Sequence, residues 1–102
     1  MNMNMTINQE GNIFNVTLEG RVDTTNAEQF QTMLKPLMTA ENANINIDCT
    51  KLNYTSSQGL RSFLMLQKCA LSHSSTLTLK NMQPQVKEVF DITGFSNIIN
   101  IV

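Results

Sequence analysis

Alternating apolar and polar residues predict strands at the beginning of the chain. A short strand is expected over residues 5–9, and a longer one over 13–20 has apolar residues at every second position: Phe14, Val16 and Leu18. Between the two strands, Gly11 supplies the positive φ angle that a tight turn needs. The two strands are therefore expected to form an antiparallel hairpin.

Helical spacing replaces the alternation in the next segment. Its apolar residues recur at intervals of three and four: Ala27, Phe30, Leu34 and Leu37 or Met38. Thr25 is followed three residues later by Glu28, a capping-box spacing that makes Thr25 the preferred N-cap. Pro36 lacks a backbone N–H, so a kink or a helix end is expected near Lys35.

Strands and helices alternate through the rest of the chain. The predicted strands are 44–49, 75–80 and 97–102. One helix between them is expected to bury an apolar stripe: Leu60, Phe63, Leu64 and Leu71, widened by Met65 and Leu66. Another helix begins at Pro84, which suits a first helical position, and ends before Gly94, which suits a left-handed residue.

The resulting order β-β-α-β-α-β-α-β predicts a single α/β domain over residues 1–102, with residues 1–4 flexible. Strands that alternate with helices indicate a mixed, mostly parallel sheet with one antiparallel hairpin. The predicted core is apolar and comes from the three helices and the three strands between the first and the last: Phe14, Val16, Leu18, Phe30, Leu34, Ile45, Ile47, Leu60, Phe63, Leu64, Leu77, Leu79, Val86, Val89 and Phe90.

Composition and charge make several classes of function unexpected for this chain. The 102 residues are 41% hydrophobic with a net charge of -1, so no basic stripe indicates nucleic-acid binding. No apolar run reaches the ~20 residues of a membrane-spanning helix, and no signal peptide is recognised. The protein is expected to be cytoplasmic, with no membrane partner. Cys49 and Cys69 fit that compartment as small hydrophobic residues and have no zinc spacing.

No enzyme motif is recognised. We therefore expect no catalytic residues, no cofactor and no metal. The chain lacks the phosphate-binding glycine loops and the G-x-S-x-G elbow. A serine nucleophile needs a base, and the single histidine, His73, is interpreted as a solvated loop residue. A small enzyme or ligand-binding domain is retained only as a minor alternative.

The segment NYTSSQGLRSFL, residues 53–64, connects a predicted strand to a predicted helix. Ser56 or Ser57 would cap the helix, yet one serine suffices for a cap. Gly59 in the first turn costs roughly 0.5–1 kcal/mol relative to alanine, which suggests that something approaches the backbone closely there. The serines are therefore either caps alone or a site of modification.

The segment VDTT, residues 22–25, also leaves the carboxyl end of a strand and enters a helix. If the two strands are neighbours, Asp23, Thr24, Ser56 and Ser57 share one edge of the sheet, where binding sites form in open α/β folds. A phosphate on serine would be tolerated at a helix N-terminus, because free N–H groups and the helix dipole favour negative charge.

The chain resembles the STAS domain family, and within it the bacterial anti-sigma factor antagonists. Three stretches carry the resemblance: LEGRVDTTNAEQF at 18–30, IDCTKLNYTSSQGLRSFL at 47–64 and LTLKNMQPQVKEVFDITGF at 77–95, together with the order of elements between them. The resemblance covers about residues 5–102.

The resemblance implies a phosphorylation-switched binding module. The unphosphorylated antagonist would bind an anti-sigma factor that is also a serine kinase of the histidine-kinase-like ATPase fold. Phosphorylation would release it, and a PP2C-type phosphatase would reset it. Alignment on Gly59 and Leu60 puts the phosphoacceptor at Ser57, with Ser56 as the second choice. The implied partner-binding residues are Asp23, Thr24, Ser56, Ser57, Gln58, Gly59 and Arg61. The default expectation is a monomer.

Two departures from the family pattern stand at this segment. Ser56 replaces the aspartate that many members have directly before the acceptor, and Gln58 follows the acceptor where a serine or alanine is common. For Arg61, an interface anchor and a solvated helix face are equally open, and Tyr54 is interpreted as packing at a strand end. The alternative function is a STAS structural subunit of a signalling or lipid-transport complex, without regulated phosphorylation.

Overall fold

A regular antiparallel hairpin begins the fold. In the computed structural model, which describes residues 3–102, β1 (Met3–Glu10) pairs with β2 (Ile13–Val22) without a bulge. Gly11 has a φ of 62°, the left-handed value expected for the turn. The flexibility expected for Met3 and Asn4 stays a prediction; in the structure both belong to β1, where Met3 pairs with Gly20. The expectation for residues 1 and 2 lies outside the described residues.

Helices and strands alternate after the hairpin, as predicted. The elements are α1 (Ala27–Met33), α2 (Lys35–Met38), β3 (Asn44–Thr55), α3 (Ser57–Ser72), β4 (Thr76–Lys80), α4 (Pro84–Ile92), a 3-10 turn (Phe95–Asn97) and β5 (Asn100–Ile101). The helical segment does break beside Pro36, which lies in the first turn of α2. Pro84 opens α4, and Gly94 follows it with a φ of 82°. No helix within residues 3–102 is long and apolar enough to cross a membrane.

The five strands lie side by side in chain order, and the predicted mixed sheet is confirmed. β1 is antiparallel to β2, whereas β2, β3, β4 and β5 are mutually parallel. Right-handed crossovers that all advance in one direction put every helix on the same face of a sheet. Burial agrees with this two-layer arrangement, since Val16 and Ile47 are buried while Asn15 and Thr17 on the opposite face are exposed.

Three aromatic rings in mutual contact join the helices over the sheet. Phe63 of α3 lies between Phe30 of α1, at 5.2 Å between ring centroids, and Phe90 of α4, at 5.5 Å. All three side chains are fully buried. Tilted and edge-on contacts of this kind add to the burial of the rings themselves.

The predicted core is buried except for Leu64 and Val89, which are half-buried. Leu71 and Met65 were also placed on the buried stripe, and this was wrong: Leu71 is 67% exposed and Met65 39%. The core contains further residues that were not predicted: Val22, Leu37, Ala43, Cys49, Leu52, Ala70 and Ile99.

The predicted N-cap Thr25 is wrong. α1 begins at Ala27 with Asn26 in the cap position, and no side-chain cap is formed there. The Thr25 backbone N–H and hydroxyl instead donate to the Asp23 carboxylate. Because this turn uses the Thr25 side chain, no capping box with Glu28 forms.

Two strand boundaries differ from the predicted ones. β3 extends to Thr55 rather than ending near residue 49. The sequence pattern missed this extension, because register shifts against β2 break the strict alternation that marks a strand. Its inward residues become Leu52 and Thr55, three positions apart. β5 contains only Asn100–Ile101, since the preceding residues form the 3-10 turn.

Phe63→Ala should lower the free energy of unfolding by about 3–5 kcal/mol, because it removes the central ring of the aromatic cluster and leaves a cavity. Leu71→Ala, on the same helix but mostly exposed, should change it by less than about 0.5 kcal/mol. Urea unfolding followed by circular dichroism measures both. Equal losses for the two variants would contradict this packing.

Candidate functional site

The two polar loops that follow β2 and β3 meet at one edge of the sheet. Val22 pairs with Thr55 at the ends of these parallel strands. Beyond that pair, the Ser56 backbone N–H donates to the Val22 carbonyl oxygen at 2.8 Å. The expectation that the VDTT and serine segments share an edge is therefore confirmed.

The two adjacent serines occupy different environments. Ser56 is 7% exposed and is the N-cap of α3, where its Oγ accepts a hydrogen bond from the Gly59 backbone N–H at 3.2 Å. Ser57 is the first residue of the helix and is exposed to solvent. The capping role thus belongs to Ser56, and the hydroxyl of Ser57 is accessible.

Gly59 is buried because two side chains press against its backbone. A Cβ added at this position would lie 2.3 Å from Thr55 Oγ1 and 2.8 Å from Val22 Cγ1. The close approach expected from the sequence is therefore made by the protein's own strand ends. Glycine here lets α3 begin directly against β2 and β3.

The Asp23 carboxylate organises the loop after β2. Its Oδ2 accepts from Arg21 Nε at 3.1 Å, and its Oδ1 accepts from the Thr25 backbone N–H and hydroxyl. These hydrogen bonds lower the pKa of Asp23 from 3.8 to about 2. The largest effect comes from the Thr25 hydroxyl, followed by the Arg21 guanidinium and the Thr25 N–H. Asp23 is consequently ionised at neutral pH, with both oxygens bonded within its own loop.

Arg21 is a site residue that the sequence reasoning missed. Its guanidinium lies 4.6 Å from the centroid of the Tyr54 ring, and about half of the Arg21 side chain is exposed. Tyr54 itself is 43% exposed, so the ring supports Arg21 at the surface. The sequence offers no signal for this pair, because a register shift between Gly20 and Arg21 brings Arg21 opposite Tyr54.

An open groove of about 240 Å³ lies between α1 and α3. Its lining comes from the loop after β2 and from both helices, and is polar except for Ala27 and Met65: Thr24, Ala27, Glu28, Gln31, Gln58, Arg61, Ser62 and Met65. The groove brings together the predicted residues Thr24, Gln58 and Arg61. The sequence reasoning missed its other members, although positions 58, 61, 62 and 65 have the i, i+3, i+4, i+7 spacing of one helix face.

The remaining reactive side chains do not assemble into a catalytic centre near Ser57. His73 follows the last residue of α3, roughly 24 Å from Ser57 at 1.5 Å per helical residue, and its Nδ1 lies 2.7 Å from the Cys69 carbonyl oxygen. Burial raises the pKa of the Cys49 thiol to about 12. Within residues 3–102, no group of three histidine, cysteine, aspartate or glutamate residues is arranged to hold a metal ion.

Comparison with known proteins identifies the family. A family model described as "Mlab, STAS domain" matches residues 5–101. The chain belongs to the STAS domain family. The putative anti-sigma factor antagonist BtrV of Bordetella bronchiseptica is 31% identical over 99 residues, which are 97% of this chain and 85% of that protein. The anti-sigma-B factor antagonist of Bacillus subtilis is 31% identical over 101 residues, covering 99% and 92%.

Solved structures share the fold of this STAS domain. The anti-sigma factor antagonist SpoIIAA in its unphosphorylated form superposes with a TM-score of 0.79 at 18% identity, covering 97% of this chain and 88% of that one. The phosphorylated form of the Bacillus cell fate determinant SpoIIAA gives 0.72 at 17% identity, covering 97% and 91%. The resemblance inferred from the sequence is thereby confirmed at the level of family and fold.

Ser56→Ala should destabilise this STAS domain by about 1 kcal/mol, because it removes the side-chain acceptor that caps α3. Ser57→Ala should have little effect, since Ser57 is exposed and does not cap the helix. Thermal or urea unfolding of the two variants measures the difference. A larger loss for Ser57→Ala than for Ser56→Ala would contradict the assignment of the cap.

Gly59→Ala should destabilise the domain by about 1–3 kcal/mol, although alanine is the better helix former, because the new methyl group overlaps Thr55 and Val22. Adding Thr55→Ala removes the nearer of the two atoms and should recover part of the loss. A double-mutant cycle in urea tests this coupling. Additive losses would show that Thr55 does not restrict position 59.

Proposed function

We propose that this STAS domain is an anti-sigma factor antagonist, a non-catalytic module that binds an anti-sigma factor and is switched by phosphorylation. The names of both 31%-identical relatives support this role. The observation that carries the proposal is an exposed serine, Ser57, at the first position of α3, beside the loop after β2.

The structure favours Ser57 over Ser56 as the phosphoacceptor. A kinase needs an accessible hydroxyl, and Ser57 offers one. Ser56 is nearly buried and its oxygen is engaged by the Gly59 N–H, so modification there would open the first turn of α3. With Ser56 where relatives often have an aspartate, the acceptor is preceded by a neutral cap rather than a charge.

Phosphorylation of Ser57 would act on binding rather than on folding. The phosphate adds a charge of about −1.5 to −2, which the N-terminus of a helix favours. In a complex, the same charge would be buried against the partner. An unpaired buried charge typically costs 2–5 kcal/mol of binding free energy, enough to release the partner.

The proposed binding surface consists of the Ser57 position and the groove between α1 and α3. Thr24, Gln58 and Arg61 line that groove and are the residues available for direct contacts. The other predicted residues position this surface rather than contact the partner. Ser56 and Gly59 set the start of α3, and Asp23 holds the loop after β2 and binds Arg21. We propose this division of roles for the partner-binding residues.

The partners are proposed from the family resemblance. They are an anti-sigma factor that is also a serine kinase of the histidine-kinase-like ATPase fold, and a PP2C-type phosphatase that resets Ser57. Both would act in the cytoplasm. The domain itself would need neither a cofactor nor a catalytic residue, because the kinase supplies the phosphoryl transfer.

Ser57→Asp should weaken binding to the proposed anti-sigma factor kinase by at least tenfold, whereas Ser57→Ala should bind like the unmodified protein and remain bound in the presence of ATP. Ser72→Asp, an exposed serine at the opposite end of α3, is the matched control and should bind normally. Isothermal titration calorimetry measures the three affinities. Wild-type affinity for Ser57→Asp would exclude the switch.

Incubation with the kinase and ATP separates this proposal from the structural-subunit alternative. The switch predicts one phosphate per chain, lost in the Ser57→Ala variant. Absence of phosphate from every serine, with binding retained, would favour a STAS structural subunit instead.

A further inference from the structure

The outer edge of β1 is the longest unpaired strand edge in the fold. β1 pairs with β2 over all eight residues from Met3 to Glu10, in a regular register. On its other side, no strand within residues 3–102 pairs with it, since the sheet order begins with β1. Every second residue of β1 therefore directs its backbone N–H and C=O groups away from the sheet.

The two edges of the sheet differ in how they are protected. Proteins block edge strands by making them very short, by bulges, or by placing proline or charged side chains on them. β5, at the opposite edge, is of the short kind with only two residues. In β1 the one charged residue is the last, Glu10; residues 3–9 read MNMTINQ, without charge or proline, and the register has no bulge.

The side chains of β1 leave apolar surface beside this free edge. Met3, Met5 and Ile7 pack against the core from the outermost strand but are only half-buried. On the opposite face, Asn4 and Thr6 are exposed and uncharged. The edge thus combines unpaired backbone groups, a half-covered apolar row and an uncharged polar row.

We infer that β1 pairs antiparallel with β1 of a second copy of this chain, which joins two five-stranded sheets into one. A two-fold axis through Thr6 places Thr6 opposite Thr6, Asn4 opposite Asn8 and Met5 opposite Ile7. Opposite residues then lie on the same face of the sheet, as antiparallel pairing requires. This register pairs residues 3–9 of the two copies, which is the whole uncharged part of β1.

Self-complementarity is the reason that the occupant is a second copy. In the register centred on Thr6, Asn4 meets Asn8 and Thr6 meets Thr6 on one face. On the other face Met5 meets Ile7, and Met3 meets Gln9 at the ends of the pairing. The half-exposed methionine and isoleucine side chains of both copies become covered, and both rows of backbone groups are satisfied. The inference replaces the monomer expected from the sequence.

Pairing through β1 is independent of the proposed antagonist function. Neither Asp23 nor Ser57 belongs to β1, and both loops follow the carboxyl ends of the inner strands β2 and β3. Self-association therefore uses a strand edge that contains no residue of the candidate site. A failure of the dimer would not bear on phosphorylation, and a failure of phosphorylation would not bear on the dimer.

Disulfide trapping tests the register directly. In a Cys69→Ser background, which leaves only the buried Cys49, Thr6→Cys should form a covalent dimer on mild oxidation. Antiparallel partners have Cα atoms about 4.5–5.5 Å apart, within the range that a disulfide spans. Thr17→Cys is the matched control, because Thr17 pairs with Thr6 on the same exposed face but lies on an inner strand. It should form no covalent dimer.

Mixed samples test the symmetry of the pair. Asn4→Cys and Asn8→Cys should crosslink poorly alone and efficiently when mixed, because Asn4 faces Asn8 across the two-fold axis. If Thr6→Cys crosslinks no faster than Thr17→Cys, the proposed register is overturned.

Sedimentation velocity over a dilution series tests the interface without oxidation. Wild-type protein should approach twice the 11.5 kDa of one chain as the concentration rises. Thr6→Lys should lose this association, because two lysines would meet at the axis, whereas Thr17→Lys should keep it. Circular dichroism confirms that both variants are folded. A wild-type protein that stays at 11.5 kDa, or equal association by both lysine variants, would overturn the inference.

Discussion

The parallel pairing of β2 with β3 is the constraint on which the rest of the structure depends. It continues past the last strand residues into the hydrogen bond from the Ser56 N–H to the Val22 carbonyl. Because this bond fixes where β3 stops, it also fixes where α3 starts and which serine is its cap. The same pairing brings Asp23 and Ser57 to one edge of the sheet.

The arrangement of the two serines at that edge follows from the close packing of α3 against the ends of β2 and β3. Val22 and Thr55 occupy the volume that a side chain at position 59 would need, so the first turn of α3 requires glycine. With α3 held this close, the Ser56 oxygen reaches the Gly59 N–H, and the next residue, Ser57, faces solvent. One serine is thus used by the fold and its neighbour is available for modification. The two adjacent serines therefore differ in environment: one is a buried cap and the other is exposed.

Sequence reasoning succeeded where one face of an element is uniformly buried. The alternation of Phe14, Val16 and Leu18 predicted β2, and the order of elements predicted the mixed sheet. It failed where neighbouring strands or loops override local pattern. β3 continues to Thr55, but its register shifts against β2, so its last residues do not show the alternation that predicts a strand. The capping box at Thr25 does not form because Asp23 takes the Thr25 hydroxyl.

The candidate site was predictable to a similar degree. The expectation that the loops after β2 and β3 meet needed only the adjacency of those strands. The contact of Arg21 with Tyr54 and the surface position of Met65 needed the actual register and the angle of α3 against α1. The exposure that distinguishes Ser57 from Ser56 likewise depends on the exact end of β3.

The most direct test of this account is to locate the phosphate and measure what it does to the fold. The protein should be incubated with ATP and the anti-sigma factor kinase proposed as its partner, its phosphate mapped by tandem mass spectrometry, and the product compared with the unmodified form by thermal unfolding and binding. The account predicts a single phosphate on Ser57, a nearly unchanged melting temperature and loss of kinase binding. A phosphate on Ser56, or phosphorylation that unfolds the domain, would contradict it.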